Sequence, residues 1–207
     1  MADILLDDEV TPAAPAASKV LVYNDSVSKL LTQRTSVKPH GIVPVRNGST
    51  AAQAYTTADV YVTGSDLAVP GHLMQIGMVF RWRLGLTKTA GTGSPVWTIR
   101  IGTAGAIGDT ARLTFTQVAA GTSVTDTGYW DIEAIVRSIG AAGVISGVLA
   151  MSHVLATTGF STLGANVMQG QSAGFDTTVA ATKVGLSFNH GTAGAGNIEY
   201  VSAELHG

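Results

Sequence analysis

The sequence predicts an all-β fold: an antiparallel jelly-roll-type β-sandwich preceded by an extended arm and a β-hairpin. Three observations lead to it. The stretch from Gly71 to Thr87 places Met74, Ile76, Met78, Phe80, Trp82, Leu84 and Leu86 in one apolar row at period two, opposite Gln75, Gly77, Val79, Arg81, Arg83 and Gly85. A strand sends alternate side chains to opposite faces, so one row reads as core and the other as a largely polar surface. Similar runs recur along the chain, separated by connections rich in Gly, Thr and Ser. That spacing suits two packed antiparallel sheets. Finally, hydrophobic residues make up 45 % and charged ones 13 % of the 207 residues, with 25 glycines. This is the reverse of a disordered chain and fits strands joined by many turns.

The chain divides into three parts. Residues 1–17 form an acidic, Pro/Ala-rich arm, in which Asp3, Asp7, Asp8 and Glu9 precede Thr11-Pro12-Ala13-Ala14-Pro15-Ala16-Ala17. Such a segment has too little apolar surface for a core and is expected to be extended. Residues 18–50 reverse the charge, with Lys19, Lys29, Arg34, Lys38 and Arg46 against a lone Asp25. There, 19–23 and 27–32 read as two strands joined by Asn24-Asp25-Ser26, a hairpin that is marginal by itself and should dock on something. Lys38-Pro39-His40-Gly41 and Asn47-Gly48-Ser49 read as a linker.

The body, 51–207, carries eight expected strands near 54–63, 73–87, 95–102, 111–119, 128–139, 143–155, 182–190 and 196–205. Trp97, Ile99 and Ile101 alternate with Val96, Thr98 and Arg100, and Leu113 and Phe115 with Arg112, Thr114 and Thr116. Trp130, Ile132, Ala134 and Val136 alternate with Asp131, Glu133 and Arg137, and Val184, Leu186 and Phe188 close the set. A helical turn is expected only near 161–170. The 143–155 strand breaks strict alternation: Val144, Val148 and Ala150 share a face, with Ile145, Leu149, Met151 and Val154 around them. A strand apolar on both faces is covered on both, either by another subunit or by the 156–181 loop.

Several classes of function find no support. A net charge of −2 and the absence of any long basic run give no footprint for nucleic acid. With no cysteine, disulfides, thiolate metal sites and thiol nucleophiles are excluded. The N-terminus is acidic where a signal peptide is basic, so synthesis in a cytoplasm without the usual export route is expected. The apolar stretch Ile135 to Leu155 is broken by Arg137, three glycines and His153, which argues against a membrane span. The low charge fits a surface covered by partners or sister subunits, and equally one coated with Thr and Ser.

No catalytic constellation stands out. His40, His72, His153, His190 and His206 form no chelating spacing and read as turn or rim residues. Asp126, Asp131 and Glu133 cluster in sequence, but Arg137 continues the row of Asp131 and Glu133, as on a solvated β face. Gly191 to Gly196 matches a phosphate loop only in glycine content, and no GxSxG is present. Arg81, Arg83 and Arg100 read either as contacts for a partner or as a solvated face paired with Asp131 and Glu133. Cofactors are not expected.

The Pro/Ala-rich arm running into Ser18-Lys19-Val20-Leu21-Val22-Tyr23, followed by Ser28-Lys29-Leu30-Leu31, resembles the N-terminal hairpin of tailed-bacteriophage virion proteins. Phe80 to Thr89 and Trp97 to Gly105 are similar to β-rich domains of phage head-decoration and fibre proteins. Leu31 departs from that pattern, standing where an aromatic is usual. The resemblance implies a non-enzymatic homotrimer on the virion: a capsid decoration (cement) protein anchored to the major capsid protein by its arm and hairpin. Asp7, Asp8, Lys19, Val20, Leu21, Tyr23, Lys29, Leu30 and Leu31 would carry the anchor, and Val144, Leu149, Met151 and Val154 the oligomer contact. A tail fibre, spike or baseplate protein that binds host glycan is the alternative, and a cellular carbohydrate-binding or hydrolytic jelly roll a third.

Overall fold

The computed structural model describes residues 45–69, 74–120, 122–178 and 182–206, together with the backbone of four short strands nearer the N-terminus. Those four are β1 (Asp8–Glu9), β2 (Leu21–Asp25), β3 (Leu31–Arg34) and β4 (Pro39–Gly41). They form a sheet of their own in the order β1-β2-β3-β4, with β1 parallel to β2 and the remaining pairs antiparallel. The expected hairpin is present, but shifted. Tyr23 faces Thr32 and Asn24 faces Leu31, so Asn24 and Asp25 belong to a strand instead of the turn.

The body is an antiparallel β-sandwich. Its larger sheet has seven strands: β5 (Val45–Ser49), β6 (Gln53–Tyr55), β9 (Val79–Ala90), β12 (Asp126–Ser138), β13 (Val144–His153), β14 (Ala165–Gln171) and β16 (Ala195–His206), ordered β14-β13-β12-β9-β16-β5 with β6 also on β16. The smaller sheet holds β7 (Val60–Tyr61), β8 (Leu67–Ala68), β10 (Val96–Gly102), β11 (Thr110–Thr116) and β15 (Lys183–Asn189), ordered β11-β10-β15-β7 with β8 also on β15. Distant strands wrap onto each other, β9 with β16 and β10 with β15, while β12 and β13 form a hairpin.

Alternation decides which side chains meet between the sheets. Phe80, Trp82, Leu84 and Leu86 of β9 are buried, as are Trp97, Ile99 and Ile101 of β10. Leu113 and Phe115, the row from Trp130 to Val136, and Val184, Leu186 and Phe188 join them in one core. The Trp82 Nε1–H donates to the Ser65 carbonyl at 2.7 Å, and the Trp130 Nε1–H to Gln117 Oε1 at 2.8 Å, which satisfies two buried donors. Gly147 and Gly170 face each other across β13 and β14. A Cβ on Gly147 would stand 2.8 Å from Leu113 Cδ2, so the missing side chain makes room for Leu113 of the opposite sheet.

Several expected elements change. The strand expected from residue 73 starts at Val79, because Gly77 turns the chain at φ +89°. That turn leaves Ile76 65 % exposed, while Met74 and Met78 remain buried. The 54–63 strand is two short ones, β6 on the larger sheet and β7 on the smaller, so the segment crosses between layers. Asn47-Gly48-Ser49, expected as linker, pairs with β16. The helical turn expected at 161–170 gives way to strand β14 from Ala165.

Replacing Trp82 with Ala should lower stability by about 3–5 kcal/mol, through lost burial and the unfilled cavity. Urea unfolding followed by tryptophan fluorescence measures that difference.

Candidate functional site

The inward rows of four strands run, at one end of the sandwich, into ionisable residues. Lys88 continues Trp82-Leu84-Leu86 on β9, and Asp126 starts the row of Trp130 and Ile132 on β12. His153 follows Leu149 and Met151 on β13, and His190 follows Leu186 and Phe188 just past β15. Lys88 and Asp126 are direct cross-strand partners. Lys88 and His190 are fully buried, and Asp126 nearly so.

Asp126 is the hub of this end. Its Oδ1 accepts the Thr127 and Leu155 N–H groups at 2.8 and 3.2 Å, and its Oδ2 accepts the Phe160 N–H at 3.0 Å. His153 Nδ1 lies 2.6 Å from the same Oδ2, and His153 Nε2 lies 2.8 Å from the Leu163 carbonyl. The Lys88 ammonium donates to the carbonyls of Thr122, at 2.9 Å, and Gly159. Burial pushes the Lys88 amine below its ordinary range, while the nearby Asp126 charge acts the other way. Gly159 sits at φ +79°, and a Cβ there would lie 2.0 Å from Asp126 Oδ2. Glycine is therefore required for the 154–164 loop to close on the carboxylate.

A His–Asp pair is also what an acid–base enzyme uses. Here both side chains are sealed from solvent, and the second ring nitrogen faces a backbone carbonyl, where a catalytic pair would face a hydroxyl. The arrangement pins a loop. His190 packs between Tyr55, stacked at 5.9 Å, and Phe160 at 5.8 Å, and neither ring nitrogen has a hydrogen-bond partner among the described residues. The rim position expected for His153 and His190 is thus corrected: both follow inward rows and point into the protein. His206 is exposed beside Glu204 at 3.3 Å. His72 lies outside the described residues. Among those residues, no three His, Asp or Glu side chains gather as a metal site.

The outer wall of the larger sheet carries a lattice of partly exposed charged side chains. Arg46, Glu204, Arg81 and Glu133 stand side by side across β5, β16, β9 and β12. Arg81 Nε donates to Asp131 Oδ1 at 3.0 Å, and its terminal nitrogen to Oδ2. That bond raises the Arg81 guanidinium above its ordinary value. Arg83 lies 4.0 Å from Asp131, and Arg46 3.7 Å from Glu204. This is a solvated lattice of ion pairs, each worth at most about 1 kcal/mol. Arg100 behaves differently: it belongs to the smaller sheet and pairs with Asp59 at 2.6 Å, not with Asp131 or Glu133. Beside the lattice lies a groove of about 420 Å³, lined among others by Glu133, Arg137, Val148, Gln169 and Gln171.

No protein-family model and no curated protein matches this sequence.

Of the residues assigned to an oligomer contact, Leu149 and Met151 are buried in the sandwich core and offer no surface. The outward row of β13 has the opposite parity: Val144 is half-buried, Val148 44 % exposed, and Val154, just past the strand, 73 % exposed. Of the anchor residues, Asp8 lies in β1, Leu21 and Tyr23 in β2, and Leu31 in β3. Asp7, Lys19, Val20, Lys29 and Leu30 lie outside the described residues. The Lys88–Asp126–His153 cluster was missed, although a signal existed: each residue is in phase with a buried row.

Asp126→Asn replaces an oxygen acceptor with an amide donor opposite N–H groups. It should cost about 3–5 kcal/mol and raise amide exchange across 154–164, as read by denaturant unfolding and hydrogen exchange. A second test concerns pH. Burial first, and the Lys88 charge second, push His190 down to about 4 from 6.5. The fold keeps this ring neutral where the unfolded chain protonates it. Its contribution is therefore whole above the unfolded value and is lost as pH falls through that window. Calorimetry should show a melting temperature that drops from pH 6.5 to 4, with a shallower slope in His190→Phe.

Proposed function

We propose that this protein is a non-enzymatic structural component of a tailed-phage virion. In this reading it is a capsid decoration (cement) protein whose N-terminal segment holds the major capsid protein while the sandwich stands on the shell. The observation that carries the reading is the two-part build. Strands between residues 8 and 41 form a small sheet of their own, ahead of a sandwich whose larger sheet starts at Val45. An isolated small sheet gains stability by docking on a larger surface, and strand addition is the natural mode for it. The sequence resemblance of the arm and hairpin points the same way.

One observation favours the fibre or spike alternative. The outer-wall groove presents the charged and amide groups of Glu133, Arg137, Gln169 and Gln171, which is the chemistry that recognises sugar hydroxyls. Immunogold labelling of intact particles with antibody against 45–206 separates the two: gold over the head supports decoration, and gold confined to the tail supports the alternative.

Deleting residues 1–44 should leave the sandwich folded and abolish attachment to heads that lack the protein, as measured by co-sedimentation. Retained binding would move the anchor into the sandwich.

A further inference from the structure

A sheet edge carries unpaired backbone N–H and C=O groups, and natural edges are blunted by shortness, charge, proline or bulges. Three edges of this sandwich follow that rule. β7 has two residues. β11 carries a bulge at Arg112, where Ile99 faces Leu113 and Arg100 faces Ala111. β5 contains Arg46, and its Asn47 side chain donates to the Asp66 carbonyl at 2.7 Å. The fourth edge, β14, follows none of it. Its seven residues, ANVMQGQ, hold no charge and no proline, and its ladder with β13 runs without a register shift.

The side chains around β14 add to the contrast. Val167 is 72 % exposed and lies diagonal to the exposed Val148 of β13, while the exposed Val154 and Leu163 stand past the strand ends, in the loop that joins β13 to β14. An uncharged, unbulged edge with apolar residues beside it is a site for strand addition.

We infer that β14 pairs with β14 of a second copy of this chain, antiparallel about a two-fold axis at Met168. An identical strand meets no like charge there, because β14 has none. Directly opposed residues in an antiparallel pair share a face, so only registers joining positions of equal parity keep both cores on one side. The register centred on Met168 satisfies this and uses all seven residues. It sets Val167 opposite Gln169, Ala165 opposite Gln171, Asn166 opposite Gly170, and Met168 opposite itself. Two seven-stranded sheets become one continuous sheet. The interface is isologous, a common geometry of soluble oligomers. The inference stands apart from the virion reading, whose sequence resemblance implies a trimer.

Sedimentation velocity of the full 21.2-kDa chain, from about 1 to 100 µM, should show a monomer–dimer equilibrium. Val167→Lys brings like charges together across the axis and should weaken dimerisation at least about ten-fold, with the melting temperature unchanged. The native chain has no cysteine, so Met168→Cys gives a clean reporter. It should cross-link into dimers under mild oxidation, while Thr57→Cys, in the exposed connection between β6 and β7 at the opposite edge of the sandwich, should not. The inference is overturned if the chain stays monomeric throughout, as when the edge serves a different polypeptide. It is equally overturned by a trimer, by an oligomer indifferent to Val167→Lys, or by Met168→Cys remaining uncross-linked.

Discussion

Burial of the inward row of β9 is the constraint on which the rest of the structure depends. Phe80, Trp82, Leu84 and Leu86 are closed off by the smaller sheet, and β9 is bracketed by β12 on one side and β16 on the other. With side chains at period two, a slip of one residue would send Arg81 and Arg83 into the core and Trp82 into water. The register of the neighbouring strands is therefore tied to that of β9, and the charge lattice on the outer wall follows as its reverse side. Trp82 adds a hydrogen bond to Ser65, which ties the β7–β8 connection of the smaller sheet to the same row.

The core is apolar along most of its length and ionic at one end. A buried cation or carboxylate is tolerable only when its hydrogen bonds are met. Lys88 meets two carbonyls, and Asp126 accepts three backbone N–H groups besides facing His153. All of these partners except Thr127 and His153 belong to the loops containing Thr122 and 154–164. The cluster thus closes the sandwich end with defined geometry where a purely apolar plug would leave loop carbonyls and amides unpaired. This chemistry serves architecture, which agrees with a structural reading of the protein.

Interaction potential lies elsewhere, in surfaces the fold leaves open. The outer wall offers paired charges of modest energetic weight, and the β14 edge offers backbone unpaired among the described residues, beside exposed valines. These differ in consequence. Solvated ion pairs set which partner is tolerated, whereas an edge supplies directional hydrogen bonds to whatever strand lies against it. An N-terminal sheet for attachment and a sandwich edge for self-association would give a small protein two independent means of joining a larger assembly.

The layered β architecture was legible from alternation alone, because Trp82, Trp97, Trp130 and Phe188 each sit in a row whose parity names its buried face. Alternation could not locate β14, whose inward positions are Asn166, Met168 and Gly170, with a single large apolar residue to betray a strand. Nor could it stop β9 at Val79: the apolar row runs on through Ile76, and the turn at Gly77 depends on backbone bonds made with Val136. Leu149 and Met151 looked like contact residues because apolar character on both faces of β13 does not say which face meets the opposite sheet. The sequence by itself determined the period, the parity and the apolar content of each strand, since these are local properties of the chain. Tertiary structure alone decided which ionisable residues at the strand ends would be buried together and which edge would be left unpaired among the described residues. Both depend on pairings between strands far apart in the chain, which no local pattern encodes.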